Sequence, residues 1–124
     1  MKREDFEELV ARALDELPQG FQEKLMNIAI MVEDWPSRDQ LASVGLRYRD
    51  ELLGLYEGIP LTKRGWYEPP LPDRITIFQR PIEMTCPSED EIVEAVQDVL
   101  RHEIAHHFGI SDERLREIEE EGMG

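Results

Sequence analysis

The sequence has few of the features that mark several common classes of protein. A single cysteine, Cys86, excludes an internal disulfide framework. Basic residues are scarce, at 14 against 28 acidic ones, and the net charge of −14 argues against nucleic acid and anionic membrane surfaces as partners. The longest apolar run, residues 28–32, is far too short to cross a bilayer. Because no apolar leader follows Met1 either, we expect a cytoplasmic protein.

The length of 124 residues and the 40% share of hydrophobic residues indicate one globular domain over residues 1–124. Apolar side chains at helical spacing predict a first helix from Arg3 to Glu16. Short apolar segments predict three strands: residues 27–33, 52–56 and 74–79. We expect a bulge at Gly54. We also expect the third strand at a sheet edge, because Pro81 closes it and lacks a donor for a ladder hydrogen bond.

The rest of the chain separates into loops and a long helix. Residues 41–48 predict a short helix or turn, and the glycines and prolines of residues 58–72 predict a surface loop. Ser88 has the pattern of an N-cap, with Glu91 three residues later, and opens a helix that runs to about residue 108. A last short helix is expected at residues 112–121.

All three histidines of the chain fall on the long helix, in the pattern His102-Glu103-x-x-His106-His107. Residues four apart differ by about 40° around a helix, so His102 and His106 share one face and can bind one metal ion. Glu103 then lies beside the ion, where a general base for water is needed. His107 is about 100° further round than His106 and is expected to pack or support the site.

A helical wheel gives a second reason to treat this cluster as a site. Glu103, His106 and His107 fall inside the apolar arc of the helix, and His102 lies at its margin. Burying an ionisable carboxylate is unfavourable unless it is paired or functional. The alternative is that the histidines are partly buried structural side chains and that Glu103 is solvated.

A third metal ligand must come from outside this helical turn. Gly109 permits the left-handed turn that returns the chain, and Asp112 follows with a carboxylate oxygen. The alternative role of Asp112 is an N-cap or first-turn acid of the last helix. Glu117 is a second, lower-ranked candidate ligand. Cys86 is expected to pack rather than bind metal.

Tyrosines near the site have two possible roles. Tyr56 and Tyr67 could stabilise an oxyanion, with a packing role as the default for each.

The string His102-Glu103-x-x-His106-x-x-Gly109-x-x-Asp112 resembles the extended zinc motif of metzincin-type proteases, with aspartate where many members carry a third histidine. Nearly the whole chain resembles the minimal zincin-like metallopeptidase family of bacterial proteins. The segments that carry this resemblance are residues 53–58, 71–78 and 102–115.

The resemblance implies an α+β, minimal zincin-like fold, in which the motif helix packs against a small twisted mixed sheet. It also implies that residues 75–78 form the edge strand above the cleft. By the same resemblance His102, His106 and Asp112 are the Zn²⁺ ligands and Glu103 is the catalytic glutamate.

Two functions are expected from this pattern. The first is zinc-dependent hydrolysis of peptide bonds, with a peptide or unfolded protein as substrate and Glu103 as general base. The alternative is a non-catalytic metal-binding interaction module that uses the same cleft, which the missing methionine turn of larger metzincins favours. The sequence predicts no oligomeric state.

Overall fold

The structure, a computed structural model, describes residues 1–58, 73–108 and 117, with only the backbone of His107 and Phe108. In these ranges the chain forms an α+β fold. The helices are α1 (Arg3–Asp15), α2 (Gln19–Leu25), α3 (Arg38–Ser43), α4 (Gln79–Thr85) and α5 (Glu89–Phe108). The strands are β1 (Ile28–Glu33), β2 (Gly54–Glu57) and β3 (Asp73–Phe78), and a 3₁₀ turn lies at Arg49–Glu51.

The three strands form one mixed sheet in the order β1-β3-β2. β1 is parallel to β3, from Ile28 opposite Asp73 to Glu33 opposite Phe78. β2 is antiparallel to β3, from Gly54 opposite Ile77 to Glu57 opposite Arg74. The small mixed sheet that the family resemblance implied is therefore confirmed.

The expectation that β3 is an edge strand is wrong, because it is the central strand. Its residues 75–78 are at most 1% exposed, so the strand is buried on both faces. Pro81 lies in the first turn of α4 rather than at the end of the strand. Backbone N–H groups in a first helical turn have no partner within the helix, so a proline there removes no bond.

The predicted bulge at Gly54 is also wrong. The register between β2 and β3 runs without interruption from Gly54 to Glu57. The glycine instead lies where β2 comes close to α5, as described below.

The sheet is covered on both faces. The larger core joins α1, α2 and α5 to one face of the sheet and contains Phe6, Leu9, Phe21, Ile75, Ile77, Val96, Leu100 and Ile104. A smaller core on the other face joins α3 and β2 to β3 and contains Leu41, Leu52, Leu55 and Phe78. Burial of apolar surface on both sides thus fixes the sheet between the motif helix and α3.

Two helices were predicted well and two were missed. α1 and α5 match their predicted ranges within one residue, and the Ser88 side chain caps α5 by accepting the backbone N–H of Glu91 at 3.2 Å. α2 was missed because a proline disfavours a helix interior, whereas Pro18 is the N-cap of a new helix. α4 was missed because it begins directly after β3, without an intervening turn residue.

Some predictions fall outside the described residues. These are the loop at residues 59–72 with its Tyr67, the turn at Gly109 and, apart from Glu117, the last helix. Within the described ranges, none of the helices combines the length and apolar character that a membrane crossing needs. The single domain over residues 1–124 stays a prediction.

Candidate metal and catalytic site

The motif helix α5 is anchored by its apolar side, and this anchoring sets the direction of the motif residues. Leu100 and Ile104 have no exposed surface, and both belong to the larger core. Glu103 is half-buried, whereas His102 and His106 are exposed. The prediction that His106 lies in the buried arc is therefore wrong. A cleft beside β2 leaves its imidazole open to solvent.

Glu103 is joined to the edge of the sheet by a hydrogen bond. The backbone N–H of Tyr56 on β2 donates to Glu103 Oε2 at 3.2 Å. The two residues are 47 positions apart in the chain. No local sequence pattern could have revealed this contact, because it depends on how β2 and α5 are brought together.

The register of the sheet explains why this N–H is available. Leu53 O accepts the N–H of Phe78 at 2.9 Å, so the N–H and C=O groups of Leu53 face β3. Backbone groups alternate in direction along an antiparallel strand, so those of Leu55 and Glu57 face β3 too. The N–H and C=O groups of Gly54 and Tyr56 therefore face the outer edge, toward the motif helix.

Gly54 lets β2 approach this helix closely. A Cβ atom at this position would overlap Cγ1 of Val99 and would lie 3.2 Å from the backbone oxygen of Thr76. Val99 stands one helical turn before Glu103 on α5. Glycine is therefore required here because the Val99 side chain occupies the space of a Cβ atom, rather than for an unusual φ angle.

Tyr56 contributes a second contact near the site. Its hydroxyl donates a short hydrogen bond of 2.5 Å to Asp73 Oδ2. Burial, followed by this hydrogen bond and the negative charge of Asp73, raises the pKa of Tyr56 above its ordinary value. The phenol is therefore neutral and ties β2 to the start of β3, which favours the packing role over the oxyanion role.

Two adjoining clefts open beside Glu103. The larger has a volume of about 700 Å³ and lies between α3, β2 and α5, where Val44, Leu46 and His106 line it. The smaller, of about 440 Å³, lies between the 3₁₀ turn and the preceding part of α5. Both clefts are lined by Leu52, Gly54, His102 and Glu103. A groove therefore passes along the outer edge of β2 on both sides of Glu103.

The two histidines fit a metal ion as far as the described residues extend. Both are exposed, lie one turn apart on α5 and line the larger cleft. Imidazole nitrogen is a preferred donor for Zn²⁺. Among the residues whose side chains the structure describes, 1–58, 73–106 and 117, there is no group of three or more His, Cys, Asp or Glu able to hold a metal ion. Asp112, the predicted third ligand, lies outside the described residues.

Glu117 and Cys86 were also considered as metal ligands. Glu117 is exposed. Cys86 directly follows α4 and packs against the larger core, and it is a free thiol. This position agrees with the packing role expected for it.

Comparison with known proteins assigns the chain to a family. The model of the zincin-like metallopeptidase family matches residues 25–122, which is most of the chain. The chain therefore belongs to the zincin-like metallopeptidase family. No curated protein matches it. The matched range contains β1, β2, β3 and the whole of α5, and so includes every motif residue discussed above.

Proposed function

We propose that this protein is a zinc-dependent peptidase in which His102, His106 and Asp112 hold Zn²⁺ and Glu103 is the general base. One observation carries the proposal. Glu103 is held by the outer edge of β2 in a groove that His102 and His106 also line. A helix that used these residues only for packing would not need to present a carboxylate and two imidazoles to the same groove.

The chain's own residues supply binding and proton transfer. Zinc, when bound, supplies a Lewis acid that polarises the scissile carbonyl and lowers the pKa of water. Glu103 Oε2 is fixed by the N–H of Tyr56. The carboxylate takes a proton as water attacks the carbonyl carbon, and passes it to the nitrogen that leaves as the amine. The half-buried position of Glu103 limits competing hydrogen bonds from solvent.

The peptide is proposed to lie along β2 rather than along β3, since β3 is covered by strands on both sides. The N–H of Gly54 and the C=O groups of Gly54 and Tyr56 face the groove, where an extended peptide can pair with them. Val44 and Leu46 add aliphatic surface to the same groove. The net charge of −14 predicts weak affinity for acidic peptides.

The substrate class is inferred from the groove, and the location from the sequence. We infer that the substrate is a peptide or an unfolded protein, because a groove beside a strand edge accepts extended chains. A cytoplasmic location is part of the same proposal.

A substrate screen tests the proposal against the non-catalytic module. Quenched peptides and unfolded proteins are incubated with zinc-loaded protein, with chelator-treated protein and with the chelated sample after zinc is restored. We expect cleavage that chelator abolishes and zinc restores. Zinc binding without cleavage of any substrate would instead support the interaction module.

The ligand set is tested by zinc affinity. Asp112→Asn and His106→Ala should each weaken Zn²⁺ binding by about tenfold or more. Asp90→Asn is the matched control, since Asp90 is exposed on α5, the helix of His106, and pairs with Arg12 at 3.1 Å. Equal affinities in the Asp112 and Asp90 variants would remove Asp112 from the site.

A further inference from the structure

We propose that Gly54 and Val99 are positioning residues for Glu103, acting through the backbone N–H of Tyr56; the inference rests on the proposed function of Glu103. The contact between Gly54 and Val99 sets the separation of β2 and α5. That separation in turn decides whether the Tyr56 N–H reaches the Glu103 carboxylate.

Strand β2 and helix α5 are in close contact at Gly54. There is no room for a Cβ atom at Gly54, because Cγ1 of Val99 occupies the space. Valine is branched at Cβ and has one strongly preferred rotamer in a helix, so its methyl group cannot easily turn away. An alanine at position 54 must therefore push β2 and α5 apart, since the backbone oxygen of Thr76, at 3.2 Å, blocks the other direction.

The second step connects this spacing to Glu103. Val99 and Glu103 lie one turn apart on α5, and Gly54 and Tyr56 lie two residues apart on β2, with backbone groups that face the same way. The Tyr56 N–H donates to Glu103 over 3.2 Å, a length that leaves little margin. Hydrogen bonds weaken as they lengthen beyond this range, so a small displacement of β2 releases the carboxylate.

The third step is the effect on catalysis. A carboxylate with one oxygen fixed by a rigid backbone donor keeps the other oxygen directed for proton transfer. A carboxylate that has lost this bond samples other rotamers and spends less time in the productive geometry. Loss of the bond should therefore lower kcat by a larger factor than it changes KM, because the bond orients the proton acceptor and does not itself bind the peptide.

The test is a compensation experiment with amide exchange and turnover as readouts. Gly54→Ala should lower the protection of the Tyr56 amide against hydrogen exchange by about tenfold, as should Glu103→Ala. Its kcat should fall by about ten- to a hundredfold. Adding Val99→Ala to Gly54→Ala removes the overlapping methyl group and should restore both the protection and kcat.

Matched controls separate this role from a general loss of stability. Val96→Ala truncates a fully buried valine on the same helix, one turn before Val99, and should not restore either readout when combined with Gly54→Ala. The amide of Phe78, which donates to Leu53 O at 2.9 Å, should keep its protection in the Glu103→Ala protein. Glu103→Ala needs no change at Gly54, so it tests the bond even where Gly54→Ala does not fold.

The inference is overturned by unchanged Tyr56 protection in Glu103→Ala, or by equal rescue from Val96→Ala and Val99→Ala. Failure of the proposed function has a different signature. If zinc-loaded wild-type protein cleaves no substrate while Tyr56 exchange follows the expected pattern, the positioning contact stands and the peptidase proposal does not.

Discussion

Replacement of Gln79 by methionine tests how much a buried polar network contributes to the fold. Gln79 has no exposed surface and begins α4, directly after the central strand. Its Oε1 accepts from Arg3 Nε at 3.1 Å, and its Nε2 donates to Met1 O at 3.0 Å and to Glu83 Oε1 at 2.9 Å. Methionine has a similar length and shape but can form none of these bonds.

The expected loss follows from these three contacts. The bond to the neutral carbonyl contributes about 1 kcal/mol, and the two bonds with charged partners about 1.5 kcal/mol each at the low end of their range. The low end applies because Arg3 and Glu83 are only partly buried and keep other partners. Burial of the added apolar surface returns about 1 kcal/mol. We therefore expect Gln79→Met to lower the free energy of unfolding by about 3 kcal/mol.

Equilibrium unfolding in urea, followed by circular dichroism, measures this change. Gln19→Met is the matched control, because Gln19 is exposed and donates one bond, to Glu23 at 3.3 Å. It should change the free energy of unfolding by less than about 0.5 kcal/mol. If the two variants prove equally stable, the network does not hold the N-terminal segment to α4 in the way described.

Three further predictions concern the core, a helix cap and acid stability. Ile104 lies beside Glu103 but is fully buried, so Ile104→Ala should lower the free energy of unfolding in urea by about 2–5 kcal/mol. A smaller loss would mean that this face does not anchor α5. Ser37→Ala removes the capping box with Gln40 and should lower the free energy of unfolding by about 1 kcal/mol, which is detected as a lower melting temperature. Burial raises the pKa of Glu83, but hydrogen bonds from Gln79 and Arg80 outweigh burial and hold this pKa below its ordinary value. The stability from these bonds is complete above the unfolded-state pKa of about 4.3, and it is lost as the pH falls through the lower folded-state pKa. Glu83→Gln should therefore flatten the acid side of the curve of unfolding free energy against pH.

The sequence predicts those elements whose apolar pattern is periodic and whose ends carry clear signals. α1 has apolar residues at helical spacing, and α5 begins at a serine that caps it in the structure. β1 is a short β-branched segment closed by a proline, and it was predicted within one residue. In each case local chemistry and tertiary packing favour the same conformation.

The errors arise where tertiary context decides. Pro81 was assigned to the end of a strand, although it occupies the first turn of α4 and removes no ladder bond. Gly54 was interpreted as a bulge, because a glycine within a strand has the same local signature whether it bends the strand or admits a neighbouring helix. The exposure of His106 depends on a cleft that is absent from any helical wheel.

In the candidate site, too, some features can be predicted from local sequence and others depend on tertiary contacts. The residues His102, Glu103 and His106 follow from their spacing on one helix, and the family match covers all three. The bond between Glu103 and Tyr56 does not follow from the sequence, because it joins residues 47 positions apart. Asp112 remains a prediction from the motif.

The most direct test of the peptidase proposal is the activity of Glu103→Gln protein that carries the same zinc content as the wild type. The substituted side chain keeps an amide oxygen that can accept the Tyr56 N–H but cannot take up the proton. We expect unchanged zinc binding and a loss of about 10²–10⁴ in kcat/KM on a peptide that the wild type cleaves. Glu94→Gln, an exposed change on the same helix, should retain full activity. Turnover by Glu103→Gln at the wild-type rate would contradict the role of Glu103 as general base.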